Sequence, residues 1–105
     1  MSREEEVVAF LRLFHITNRP QRIQIIRYLT SKQCNILREV AYNLLVNSSI
    51  TISKPDRAYL RRRIAVIKKL ASKRFCFKIK KDILLANQSL LKKIVDIILN
   101  YWEKE

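Results

Sequence analysis

A chain of 105 residues is one domain's worth, and with 49% hydrophobic residues it is far too apolar to stay disordered. Glycine is absent, which excludes glycine-dependent phosphate loops and nucleophile elbows and disfavours tight β-hairpins. The net charge is +13, and a clustered surplus of cations repels itself unless a polyanion relieves it, nucleic acid first and anionic lipid next.

An all-α fold fits these limits: a compact single-domain bundle of five to six helices spanning residues 1–105. Without glycine, the helices are expected to end at Asn, the next residue to tolerate the left-handed conformation. Residues 4–14 form the first helix, with Glu4, Glu5 and Glu6 at its positive end and Val7, Leu11 and Phe14 as its stripe. Pro20 is tolerated only in a first turn, so a second helix starts near Asn18 or Arg19 and turns Ile25, Ile26 and Leu29 inward. Thr30 and Ser31 supply the next cap. A third helix then runs to about Asn47 with Cys34, Leu37, Ala41, Leu44 and Leu45 at spacings of three and four, and Asn47, Ser48 and Ser49 end it.

Ile50 to Ile52 read as a short extended link whose isoleucines cover the core. Ser53, Pro55 and Asp56 then mark a strong helix start, with Ser53 as the cap and Asp56 able to close a capping box. The helix expected over 54–71 buries Leu60, Ile64, Ile67 and Leu70 or Ala71. Residues 74–80, RFCFKIK, alternate imperfectly and could form a short strand; the preferred reading is a connection in which Phe75 and Phe77 plug the core, followed by a short helix from about Ile79 to Ala86. Asn87 caps a last helix over 88–103. Its apolar positions cover more than half its circumference, so it is either central to the bundle or buried by a partner, and a homo-oligomer through 88–103 is one expectation. Short connections favour antiparallel pairing of neighbouring helices.

The charge is concentrated. Residues 54–81 hold twelve Lys and Arg against Asp56 alone, a net +11, while the rest of the chain carries +2. Apolar residues threaded through this stretch dock it, leaving the cations in a fixed outward array. Phosphate neutralisation is the chemistry of such an array: it releases condensed counterions and gives affinity without sequence information. The candidate nucleic-acid-binding residues are Arg57, Arg61, Arg62 and Arg63, then Lys68, Lys69, Lys73 and Arg74, then Lys78, Lys80 and Lys81. Arg63 lies beside the apolar stripe. A base-reading helix-turn-helix fits less well, because the connector before the basic helix is long and its exposed side offers no Asn or Gln to adenine. DNA is the expected partner, with RNA also open. The alternative is a helical interaction or oligomerisation module, death-fold-like, whose basic face meets an acidic protein or an anionic membrane.

Other chemistry is sparse. Two cysteines and one histidine fall short of the four ligands of a structural zinc site, so no metal or other cofactor is expected. Cys34 and Cys76 both have apolar neighbours and read as buried free thiols of a reducing, intracellular compartment, with a single disulfide between them as the alternative. His15 has no nucleophile or carboxylate at a meaningful spacing and reads as a core or cap residue. The Glu4–Glu6 run belongs to a helix start, so no catalytic residue is assigned. Tyr59, Phe75 and Phe77 could stack on bases, with core packing the favoured use. The acidic N-terminus does not resemble a secretion signal, and no run reaches the roughly 20 apolar residues of a transmembrane segment.

The segments ILREVAYNLLVNSSITIS (36–53), RAYLRRRIAVIKKLASKR (57–74) and KIKKDILLANQ (78–88) resemble small basic proteins of Maverick/Polinton elements and adintovirus-like DNA viruses. The matching positions are Glu39, Asn43 and Leu45, then Leu60 and Leu70, then Lys80, Lys81 and Gln88, and the resemblance covers about residues 25–100. It implies a virion-core-like, DNA-packaging role in the nucleus or virion. Family members follow the Gln with a Gly-Gly pair and an apolar tail. Here Gln88 leads into an amphipathic helix instead, so no membrane-active role carries over.

Overall fold

The computed structural model describes residues 2–47 and 50–103. Seven helices and no strand occur among them: α1 (Arg3–His15), α2 (Arg19–Arg27), α3 (Ser31–Val46), α4 (Lys54–Arg62), α5 (Ile64–Ala71), α6 (Phe77–Ala86) and α7 (Gln88–Glu103). The radius of gyration, 12.9 Å, matches the roughly 13 Å expected of one folded domain of this length. Ser48 and Ser49, expected to help end the third helix, lie outside the described residues.

Local signals set most boundaries. The Ser2 hydroxyl accepts from Glu5 N–H at 3.2 Å, with Glu4, Glu5 and Glu6 in the first turn of α1. Asn18 and Gln21 exchange side-chain and backbone hydrogen bonds at 2.9 and 3.0 Å, and Thr30 and Gln33 do the same at 3.0 and 3.1 Å. Both are reciprocal caps that satisfy amides at helix starts. Ser53 accepts from Asp56 N–H, but the Asp56 carboxylate pairs with Lys93 Nζ at 3.0 Å. The expected left-handed Asn caps do not occur: no described residue has a positive φ, and Asn47 and Asn87 sit at φ −88° and −130°.

The helix expected over 54–71 is two helices, which is why the bundle has seven rather than five to six. At Arg63 (φ −115°, ψ 18°) the N–H bonds Leu60 O at 2.9 Å, a tight i−3 contact. The Tyr59 carbonyl takes Arg63 Nη1 at 3.0 Å. Leu60, Ile67 and Leu70 stay buried across the break, whereas Ile64, expected inside, starts the new helix 39% exposed.

Leu90, Leu91, Ile94, Val95, Ile97, Ile98 and Leu99 of α7 are all buried by the rest of the chain. Each such burial is worth about 1.5–3 kcal/mol relative to exposure. This answers the wide apolar surface of 88–103: α7 is the centre of its own bundle, and the reason for expecting a homo-oligomer through it falls away. Tyr101 and Trp102 are half-buried against the same core. Pairing does not follow chain order. The most extensive contacts join α3 to α5 and α1 to α7, not successive helices as antiparallel hairpins. Burial of apolar faces outweighs adjacency in the chain: even α5, only eight residues long, packs chiefly on α3 rather than on its neighbours α4 and α6. Ile50 is buried and Ile52 partly so, as the link between α3 and α4 requires.

Two residue placements differ from expectation. Cys34 is buried, but Cys76 is exposed at the residue before α6, and neither is in a disulfide. His15 is exposed rather than in the core. Its Nδ1 meets Asp96 Oδ1, while Lys92 Nζ holds Asp96 Oδ2 at 3.0 Å, tying the end of α1 to α7.

Candidate nucleic-acid interface

Eight of the eleven candidate cations lie exposed: Arg57, Arg61 and Arg62 on α4, Lys68 and Lys69 on α5, Lys73 and Arg74 in the link that follows, and Lys78 on α6. None of the eight forms an ion pair among the described residues. The docking side of these helices explains the outward set. Leu60, Ile67 and Leu70 turn into the core, so positions between them point away. Arg57 and Arg61 share one face at a spacing of four. Asp56, the single acid of segment 54–81, is engaged by Lys93 and does not discharge the array.

The remaining three cations do not join that array. Lys80 is 6% exposed. It lies three residues after Phe77 and four before Leu84, both of which pack inward, so the helical period carries it inside while Ile79 stands 46% exposed. Burial holds the Lys80 ammonium below its ordinary 10.5; Cys34 acts against this and Arg38 adds to it. The Cys34 thiol is pushed above 9.0 by the same burial, opposed by the charges of Lys80, Lys81 and Arg38. Lys81 donates to Arg27 O at 2.8 Å, capping the carbonyl end of α2, and lies 4.7 Å over the Phe77 ring. Arg63 stacks on Tyr59 at 3.6 Å besides holding the Tyr59 carbonyl. The outward-facing candidates are therefore the eight exposed residues, while Arg63, Lys80 and Lys81 engage the fold.

The chain matches no protein-family model, no curated protein and no solved structure.

Rings that could stack on bases are occupied. Tyr59 is covered by Arg63, and Phe77 packs against the core beneath Lys81. Phe75 is half-buried. Among the described residues no group of three or more His, Cys, Asp or Glu could hold a metal ion, and no helix is long and apolar enough to cross a membrane. One basic constellation escaped the sequence: Arg19 and Arg22 of α2 line a cleft with Arg63 and the start of α7. No spacing in the chain links residues so far apart.

Proposed function

We propose that this protein binds nucleic acid without sequence preference and without catalysis, with duplex DNA as its partner and genome condensation as its use. One observation carries the reading: eight exposed cations between Arg57 and Lys78 stand without an ion pair among the described residues on a docked helical scaffold. Lys and Arg held this way neutralise backbone phosphates and release counterions. The exposed side of α4 and α5 carries Lys, Arg, Pro, Ala and Ile and no Asn or Gln, so it has little with which to read adenine edges. A packaging role in a nucleus or virion agrees with the resemblance of residues 36–88 to the Maverick/Polinton and adintovirus-like proteins.

The test is a salt titration against duplexes of unrelated sequence. If each of the eight cations meets one phosphate, log K falls against log salt with a slope of about −7. Affinities should agree between sequences. A flat salt response, or a strong preference for one duplex, refutes the reading.

A further inference from the structure

A cleft of about 590 Å³ opens between α1, α3 and the end of α7. Val7, Val8, Ile36, Val40 and Trp102 give it an apolar lining. Its charge runs against that of the molecule. In a chain of net +13, the described residues around it include Glu4 and Glu39 and no Lys or Arg. An adjoining cleft shares Glu4 and Val8 and adds Glu5, and its Arg12 is already paired with Glu103 at 3.5 Å. Glu4 and Glu5 are exposed and form no ion pair among the described residues.

This chemistry selects an occupant. Carboxylates repel polyphosphates and anionic headgroups, so the cleft suits neither partner of a basic surface. An apolar lining edged by acids fits an apolar side chain that has cations one helical turn away. The same chain presents that combination elsewhere. Residues 57–81 contain no acid. Within them Ile64 stands 39% exposed at the start of α5, next to exposed Ala65, and exposed Lys68 and Lys69 follow one turn later.

The spacings of the two surfaces also agree. On α1, Glu4 lies one turn before Val8, and on α5, Lys68 lies one turn after Ile64. Laying α5 of one copy antiparallel along α1 of another sets Ile64 on Val8 and Lys68 over Glu4, with Lys69 beside Glu5. At 0.15 M ionic strength, charges more than about 8 Å apart are largely screened, so the facing pairs outweigh the net charge of the two copies.

We propose that the cleft between α1, α3 and α7 seats the exposed face of α5 from a second copy of this protein. Acid side meets basic side, so the contact is heterologous. The inference goes beyond the nucleic-acid reading and does not rest on it.

The test is sedimentation equilibrium of nuclease-treated protein in 0.15 M salt, from about 10 to about 500 µM. The weight-average mass should rise with concentration. Emission from Trp102, the single tryptophan, should shift to the blue as the cleft is covered. Two variants reverse the two sides: Glu4→Lys/Glu5→Lys and Lys68→Glu/Lys69→Glu. Each alone should weaken association by about tenfold, with helicity by circular dichroism unchanged. An equimolar mixture should restore it, because the intact acid side of one variant meets the intact basic side of the other. Each reversal moves the charge by two, so the variants carry +17 and +9 and still repel as whole molecules. Restoration therefore reports the facing pairs.

Ile64→Lys alters an exposed position, keeps the surface cationic and should weaken association about tenfold by removing the apolar contact. A mass that stays monomeric, a mixture no stronger than its components, unchanged association in Ile64→Lys, or an unmoved Trp102 emission overturns the proposal. None of these outcomes alters the salt slope measured on duplex DNA, so failure here and failure of the nucleic-acid reading are told apart.

Discussion

The lysines of α7 and the cations of α4 and α5 look alike in the sequence and are used in opposite ways. Lys92 and Lys93 each reach a carboxylate, Asp96 and Asp56, at 3.0 Å. Arg57, Arg61, Arg62, Lys68 and Lys69 reach none among the described residues. The difference lies in the supply of acids, not in the number of bases. A cation next to a structural carboxylate fastens helices together, whereas one without a carboxylate keeps its field for something outside the molecule.

The largest expected effect breaks that comparison at its exposed side. Reversing Arg61, Arg62, Lys68 and Lys69 together to Glu should lower duplex-DNA affinity by on the order of 10³-fold at moderate salt, with helicity by circular dichroism unchanged. A milder pair, Lys68→Ala with Lys69→Ala, should flatten the salt slope by about 1.8 across all sequences.

Next comes the core side. Ile98→Ala should cost about 2–5 kcal/mol in urea unfolding, because its side chain is 1% exposed at the centre of α7. Ile64→Ala, at the exposed start of α5, should cost well under half as much. Equal costs would mean that the break at Arg63 does not persist in solution.

Lys80 sharpens the comparison from a third direction, as a cation that is neither paired with an acid nor outward. Lys80→Met should leave the protein as stable or about 1 kcal/mol more stable at pH 7, since a buried ammonium is traded for an apolar stem. The pH sign is fixed. A lysine whose folded value lies below 10.5 binds fewer protons folded than unfolded. Its penalty is therefore full at low pH and relieved as pH rises through that lowered value. Cys34, raised above 9.0, pulls the other way once its unfolded form ionises. The stability advantage of Lys80→Met should shrink between neutral pH and pH 10, and an advantage that grows would refute the placement.

The smallest effect belongs to the half-exposed pair that joins α4 to α7, Asp56 with Lys93. Asp56→Ala should cost only about 0.5 kcal/mol, since both partners keep solvent contact. The hydrogen bond and charge of Asp56 hold Lys93 above 10.5. That contribution is complete below 10.5 and is lost as pH climbs through the raised value, so a stability difference between the parent and Asp56→Ala that persists beyond it would contradict the pairing.

Much of the fold was legible because helix signals are local. Thr30 and Ser53 read as caps and act as caps, and the 88–103 stripe gave α7 its bounds. The exposed cations were legible for the same reason, since Leu60, Ile67 and Leu70 fix which side docks. What escaped depends on distant partners. The break at Arg63 comes from a guanidinium competing for the Tyr59 carbonyl, and no propensity announces it. His15 reads as a core or cap residue in the sequence because its partner Asp96 is eighty-one positions away in the chain. Lys80 is a different case. The spacing from Phe77 to Leu84 already placed it inward, but the helix was expected to begin at Ile79, and that omitted the residue that sets the face. The packing order of the helices was not legible, because it is decided by which apolar faces meet across distant stretches of chain.

Among the described residues, seven helices are joined without one residue in the left-handed region. Chirality therefore does not tax the corners these residues form, and the usual benefit of glycine at a helix end is missing from them. Replacing Tyr28 or Asn87 by glycine would relieve no strain and would only loosen the denatured ensemble. An engineer could instead stiffen these corners with ordinary side chains, raising the melting point while leaving the cationic surface unaltered.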